Sequence, residues 1–209
     1  MKRARQTFAL FFACVTAAIV GCAASNPSPD ASRNQVTLPV AVDARAITDG
    51  ARGTLVAIVF ISHECPISNA MAPDLIALAQ SCRARGVAFH LVHASAWVDD
   101  ATIAKHSADF DLAGAMIVET DRTHALVIAT GATITPEAVL LRLDGNGGFD
   151  RLYLGRVNDL YAAIGRRRAQ ATTNDFSDAI DAALTGRPIA LNAPKAVGCF
   201  IEPLSPSSR

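Results

Sequence analysis

The sequence feature that most constrains the fold is the apolar run TLVAIVFIS at Thr54–Ser62, which leads almost directly into a Cys-Pro pair at Cys65. The run is rich in β-branched residues and shows no polar alternation, which is typical of a central strand covered on both faces. The following segment, NAMAPDLIALAQSCRARG, carries apolar residues at helical spacing and ends at Gly86. This order predicts a buried strand, a tight loop and a helix that begins at Cys65.

Strand and helix patterns alternate along the rest of the chain. We expect strands at Val87–Ala94 and Ala115–Glu119, helices at Asp100–Phe110, Asp121–Gly131 and Thr173–Gly186, and two hairpin strands joined by a glycine-rich turn within Thr135–Gly155. The alternation predicts an α/β fold in one domain, with a central mixed sheet flanked by helices.

The N-terminus has the pattern of a targeting segment. The basic stretch MKRAR precedes an apolar run from Phe8 to Val20, which is short for a permanent membrane-spanning helix. Small residues then precede Cys22, a pattern that resembles a bacterial lipoprotein signal in which residues 1–21 are removed and Cys22 is lipidated. An ordinary secretory signal and a membrane anchor are the alternatives.

This N-terminal pattern implies a layout and a location. We expect residues 22–35 to form a flexible tether, residues 36–201 the folded domain and residues 202–209 a disordered tail. The expected location is the cell envelope, with a lipid anchor on the periplasmic side of a bacterial membrane. The chain has 19 basic and 19 acidic residues, and three of the basic ones lie in the signal segment. The remaining chain is mildly acidic without a notable basic patch, which argues against a nucleic-acid partner.

Cys65 is the candidate nucleophile. A cysteine at a helix N-terminus lies near unpaired amide groups and the positive end of the helix dipole, and both favour the thiolate over the thiol. Pro66 suits the first helical turn because its missing N–H would be unpaired there anyway. Glu64 opposes a second negative charge, whereas a protonated His63 would favour it.

The surroundings of Cys65 resemble those of the thioredoxin superfamily. Four residues fall at the spacings of thioredoxin's strand phenylalanine, its two active-site cysteines and its helix-kinking proline, namely Phe60, Cys65, Ser68 and Pro73. Thr135-Pro136 resembles the cis-proline segment that faces the reactive cysteine. The stretches CPISNAMAP, GATITPEAVLLRLDG, YLGRVND and AVGCF together resemble the redoxin branch (alkyl hydroperoxide reductase and thiol-specific antioxidant type) of secreted bacterial proteins, over roughly Val36 to Ile201.

The resemblance implies a thioredoxin-like fold and thiol-disulfide chemistry without a cofactor. Cys65 would be the nucleophile and Ser68 would donate a hydrogen bond to its sulfur. Pro66 and the segment Thr135-Pro136 would bind the substrate, which would be a disulfide protein, a small thiol or a peroxide. Arg156, after a strand end, could stabilise an anionic sulfur; an ordinary surface arginine is the alternative.

The sequence departs from the thioredoxin pattern at the second cysteine, which is Ser68. Cys199 is the candidate resolving cysteine, because it follows the last predicted helix and similar redoxins carry a Gly-Cys near their ends; a buried structural thiol is the alternative. Cys82 lies on the apolar face of the predicted helix and is expected in the core. Trp97 lacks the place of thioredoxin's tryptophan and is expected to pack or to anchor a loop.

Two other functions stay open. A thiol peroxidase would need a serine or threonine three residues before the cysteine, which Ser62 supplies, and a proline seven residues before it, where Ile58 stands. A non-catalytic binding module or metallochaperone could use the same fold. The five histidines show no recognisable ligand spacing, so we expect no metal site.

Overall fold

The computed structural model describes residues 35–37, 47–190 and 192–204. The predicted signal peptide, the lipidation site Cys22 and nearly all of the tether lie outside these residues, as does most of the predicted tail. The chain divides into two compact units, Met1–Ala31 and Ser32–Arg209, and the fold below belongs to the second. No helix among the described residues has the length and apolar character needed to cross a membrane.

The described part consists of ten strands and five helices. The strands are β1 Gln35–Thr37, β2 Leu55–Ile61, β3 Ala88–His93, β4 Ile117–Thr120, β5 Ile134–Thr135, β6 Glu137–Leu143, β7 Gly148–Gly155, β8 Tyr161–Ala163, β9 Arg166–Arg167 and β10 Cys199–Phe200. The helices are α1 Pro66–Ala70, α2 Ala72–Ala84, α3 Asp100–Asp109, α4 Ala125–Thr130 and α5 Asp175–Leu184.

Six strands form one mixed sheet in the order β1-β7-β6-β2-β3-β4. The neighbours β2, β3 and β4 are parallel, whereas β6 pairs antiparallel with both β2 and β7. Three parallel strands extended by an antiparallel hairpin agree with the thioredoxin-like sheet that the resemblance implies. The predicted α/β fold with a central mixed sheet is therefore confirmed, as are the long buried strand and the hairpin.

Strand β2 is the centre of the core, because all seven of its residues are buried. Successive side chains of a strand point to opposite faces. On one face Val59 packs in a cluster with residues of α2 and α5, such as Leu75 and Ile180, and on the other Ile58 packs in a cluster with residues of α4, such as Leu126. Helices therefore cover both faces, which explains the absence of polar alternation in the sequence.

Two helices differ from the sequence prediction. The helix predicted after Cys65 is interrupted at Met71 and so forms α1 and α2. Pro73 has no N–H to continue the helical bonding, and this favours a break just before it. Helix α4 begins at Ala125 and not near Asp121, because the Asp121 carboxylate itself accepts the amides of Ala125 and Val127, at 2.9 Å each.

We expect Ile58→Ala to lower the free energy of unfolding by about 2 to 5 kcal/mol, because it removes a fully buried side chain from the central strand. Ile128→Ala is the matched control, since that isoleucine in α4 is 71% exposed, and its change should stay below about 0.5 kcal/mol. Urea unfolding of both variants measures the difference. Equal midpoints for the two variants would contradict the core described here.

Candidate functional site

Cys65 caps the N-terminus of α1, as the sequence predicts. Its backbone is extended, with φ −81° and ψ 110°, and Pro66 occupies the first helical turn. The Cys65 carbonyl accepts the amide of Asn69 at 3.0 Å. The Asn69 side chain in turn donates to the carbonyl of His63 at 2.9 Å, which ties the loop before the cysteine to the helix after it. The reactive sulfur therefore has a defined position at the end of β2.

The Thr135-Pro136 segment faces this sulfur. The peptide bond between the two residues is cis, as the resemblance implies. The Cys65 thiol donates to the Thr135 carbonyl at 3.1 Å, across 70 positions of sequence, and both residues are buried. The structure thus brings together the two sites that the sequence placed far apart.

The C-terminal segment folds back onto the same place. Strand β10 pairs antiparallel with β5, so that Cys199 lies opposite Thr135 and Phe200 opposite Ile134. The amide of Ile201 extends this pairing by donating to the Thr133 carbonyl at 2.9 Å. The edge of β5 is therefore already occupied by the chain's own backbone.

Gly198 makes this approach possible. A Cβ atom at position 198 would lie 1.9 Å from the Thr135 carbonyl oxygen, well inside any atomic contact distance. Only glycine allows the backbone to pass so close, and the next residue, Cys199, then lies beside Cys65. Both cysteines are free thiols, Cys65 buried and Cys199 exposed.

The pKa values of the two thiols are shifted in opposite directions. Burial raises the pKa of Cys65, but hydrogen bonds from the thiol and amide of Cys199 and from the amide and hydroxyl of Ser68 lower it, and the net pKa is about 7 against an ordinary 9.0. The pKa of Cys199 rises to about 11, because its hydrogen bond to Cys65, its partial burial and the Cys65 charge all favour the protonated form. Cys65 therefore ionises first while Cys199 keeps its proton.

The Ser68 hydroxyl takes part only once Cys65 is ionised. It is 3% exposed and has no hydrogen-bond partner while Cys65 is a thiol that donates to Thr135. A buried hydroxyl without a partner is unfavourable. The thiolate gives it an acceptor, so the position that replaces a second motif cysteine stabilises the charge on the first one.

A cavity of about 210 Å³ opens in front of Cys65. Cys65 is 1% exposed and lines this cavity together with His63, Glu64, Trp97 and the segment from Cys199 to Glu202. Of the two placements expected for Trp97, the structure excludes packing in the core, because this side chain is 71% exposed.

Three histidines cluster near the loop before Cys65. The rings of His93 and His106 lie 5.1 Å apart and those of His63 and His106 6.5 Å apart. Burial, together with the charges of His106 and His63, lowers the pKa of His93 to about 3, so this imidazole stays neutral. Within the described ranges, no three His, Cys, Asp or Glu side chains are arranged to hold a metal ion.

Two predicted residues lie away from the cavity. Arg156 forms an ion pair with Asp175, with Nε 2.7 Å from Oδ2, and also donates to Thr173. The structure does not bring it to Cys65, because the α5 carboxylate holds its guanidinium elsewhere. Cys82 is fully buried in the core cluster, and burial raises the pKa of its thiol.

Comparisons with known proteins show the fold. No protein-family model matches the chain, and no curated protein matches it. An uncharacterised conserved protein from Geobacillus kaustophilus matches with 21% identity and a TM-score of 0.61, covering 84% of this chain and 92% of that one. A hypothetical protein from Sinorhizobium meliloti 1021 matches with 20% identity and a TM-score of 0.58, covering 81% and 91%.

A solved structure with a described activity also matches, at lower similarity. It is a secreted disulfide oxidoreductase of Mycobacterium tuberculosis, with 16% identity and a TM-score of 0.42, covering 74% of this chain and 96% of that one. At these identities the two matches with TM-scores of 0.61 and 0.58 support the overall architecture alone, and the chemistry has to be argued from the site itself.

The thiolate of Cys65 should appear with a midpoint near pH 7 when its ultraviolet absorbance is followed against pH. In Cys199→Ala the midpoint should rise toward the ordinary value of 9.0, because the hydrogen bond from the Cys199 thiol to the sulfur is lost. Cys65→Ser supplies the baseline. A midpoint unchanged by Cys199→Ala would show that the two thiols do not interact.

Proposed function

We propose that this protein is an exported thiol-disulfide oxidoreductase that uses Cys65 and Cys199 as its reacting pair. Two contacts carry the proposal: the Cys65 sulfur lies 3.1 Å from the Thr135 carbonyl oxygen, and β10 places Cys199 opposite Thr135. The lowered pKa of Cys65, about 7, agrees with them. A thiol with that pKa is about half ionised at neutral pH and still nucleophilic, which suits exchange with disulfides.

The first step is attack on a substrate disulfide. The Cys65 thiolate bonds to one substrate sulfur, the substrate S–S bond breaks, and the other substrate sulfur leaves as a thiolate that takes a proton from water. The Ser68 hydroxyl and the Cys199 thiol stabilise the attacking charge before the bond forms. Pro66 and Thr135 border the sulfur and shape the approach of the substrate.

The second step is resolution by Cys199. Two of the three causes that raise the pKa of Cys199 are its hydrogen bond to Cys65 and the Cys65 charge, and both disappear when Cys65 enters a mixed disulfide. Cys199 then ionises more easily, attacks the Cys65 sulfur and releases the second substrate thiolate. The protein ends with a Cys65–Cys199 disulfide and the substrate with two thiols, so two electrons have passed to the substrate.

The cycle closes through an external dithiol, which reduces the Cys65–Cys199 disulfide by the same exchange in reverse. Cys199 lies at the surface, so this disulfide would be open to attack. Among the described residues that line the Cys65 cavity there is no lysine or arginine, and Arg156 pairs with Asp175, so this lining supplies no guanidinium to a peroxide. Within the described ranges the histidine cluster is not arranged to hold a metal ion, so it does not favour the metallochaperone alternative.

The proposed location is the bacterial cell envelope, with the N-terminal Cys22 lipidated. The basic start, the short apolar run and the small residues before Cys22 support it. A membrane thiol-disulfide oxidoreductase would act on disulfides of proteins or small thiols in that compartment, where disulfides form and persist.

Substitution of Cys65 and substitution of Cys199 should stop the reduction of a small disulfide at different steps. Cys65→Ser should abolish turnover, because no nucleophile remains. Cys199→Ser should stop at the mixed disulfide, since nothing resolves it, and the intact mass should show one attached substrate half. Quenched reaction mixtures analysed by mass spectrometry separate these outcomes.

Cys82→Ala is the matched control, because it removes a thiol of the same domain that is buried in the core. It should keep both turnover and the Cys65–Cys199 disulfide. Turnover retained in Cys65→Ser would rule out the proposed chemistry, and turnover retained in Cys199→Ser would assign resolution to another thiol.

For the location, Cys22→Ser of the full chain should move the protein from the membrane fraction to the soluble fraction of the envelope and abolish labelling by a fatty-acid analogue. Stable anchoring of a protein by lipid takes more than a single acyl chain, so a protein that has lost the whole lipid group should leave the membrane. Cys14→Ser is the control, because that cysteine lies within the predicted signal. Unchanged labelling in Cys22→Ser would contradict the lipoprotein proposal.

A further inference from the structure

The charged side chains at the mouth of the Cys65 cavity are acidic. Glu64 and Glu202 both line it, and the Glu64 side chain is 82% exposed. No lysine or arginine is among the lining residues in the part of the chain that the structure describes. The remaining titratable lining side chain besides the two cysteines is His63, whose Nε2 lies 3.8 Å from a Glu64 oxygen. The mouth therefore presents a negative field to an approaching ligand.

Two exposed aromatic side chains also border the mouth. Trp97 is 71% exposed and Phe200 is 82% exposed, and both line the cavity. The face of an aromatic ring attracts ammonium and guanidinium groups, and it also packs against the methylene stems of lysine and arginine. Carboxylates and aromatic rings at one opening both favour a cation.

The geometry also limits how a ligand can approach. The backbone edge of β5 beside Cys65 is paired with β10, so it does not offer free amide and carbonyl groups for a further strand. What remains open is the cavity of about 210 Å³, a volume that suits a small disulfide or one cysteine side chain with its neighbours. Substrate selection therefore depends on the charges and side chains next to the reacting disulfide more than on pairing between β5 and an extended substrate backbone.

We propose that the preferred substrates are cationic disulfides, in which ammonium or guanidinium groups flank the S–S bond, and that Glu64 and Glu202 impose this preference. The inference rests on the proposed function and names its substrate class. Anionic disulfides such as glutathione disulfide are disfavoured by the same charges. Two sources share the favoured chemistry: small diamine disulfides, and protein cysteines flanked by lysine or arginine.

The test compares three disulfides of similar size and different charge with the reduced protein. They are cystamine with two positive charges, hydroxyethyl disulfide with none and dithiodipropionate with two negative charges. The rates are measured at about pH 8, above the range where imidazoles ordinarily gain a proton. Each rate is divided by that of mercaptoethanol with the same disulfide, which removes intrinsic differences between the substrates.

At about 10 mM salt, where the Debye length is about 30 Å, cystamine should react about tenfold or more faster than dithiodipropionate. At about 1 M salt, where the Debye length is about 3 Å, the ratio should approach one. The double variant E64Q/E202Q should lose most of the ratio at low salt. Both rates in the ratio are measured with the same protein, so a change in the thiolate fraction of Cys65 affects both equally and leaves the ratio unchanged.

Asp111→Asn is the matched control, since it neutralises an exposed acid outside the cavity lining and should leave the ratio unchanged. Cysteine peptides with lysine or with glutamate neighbours, presented as disulfides, distinguish the two sources. A lysine-flanked peptide that reacts faster than cystamine indicates a protein substrate, and equal rates indicate that the small cation suffices.

The outcomes separate this inference from the function it rests on. If hydroxyethyl disulfide reacts no faster with the protein than with mercaptoethanol thiolate, the proposed function fails. If hydroxyethyl disulfide reacts fast but the three normalised rates are equal, or the E64Q/E202Q variant keeps the full ratio, the function stands and the substrate class proposed here is wrong.

Discussion

The backbone pairing of β10 with β5 is the constraint on which the site depends. It places Cys199 opposite Thr135, while the Thr135 carbonyl accepts the Cys65 thiol, so one short strand pair fixes both sulfurs relative to the end of β2. The pairing in turn depends on Gly198, because a side chain there would overlap the Thr135 carbonyl. The positions of the two sulfurs thus depend on the end of β2, on the pairing of the two-residue strands β5 and β10, and on Gly198.

This constraint gives Cys65 a different set of partners in each protonation state. The neutral thiol donates to the Thr135 carbonyl, which can only accept. The thiolate instead needs donors, and the thiol and amide of Cys199 together with the amide and hydroxyl of Ser68 provide them. Burial alone would favour the neutral form. The lowered pKa is therefore a balance in which four donors outweigh desolvation.

Local signals explain what the sequence could predict. The unbroken apolar run of β2, the Cys-Pro start of α1 and the glycine-rich hairpin are each encoded by neighbouring residues, and the Thr135-Pro136 segment was identified through resemblance. The partner of Arg156 is Asp175, 19 positions further along the chain, so no local pattern could show it. Gly198 directly before Cys199 was a usable signal, because a glycine beside a functional residue often marks a close backbone approach.

Placing the second thiol on β10 instead of within the motif changes when it can react. A cysteine at position 68 would lie one helical turn from Cys65 on α1, whereas Cys199 belongs to a separate strand that lines the Cys65 cavity. The hydrogen bond to Cys65 and the Cys65 charge raise the pKa of Cys199, and in the mechanism we propose both causes end when Cys65 carries a substrate sulfur. In that mechanism Cys199 stays protonated until the mixed disulfide exists, so the proposed order of the two steps follows from electrostatics at one contact.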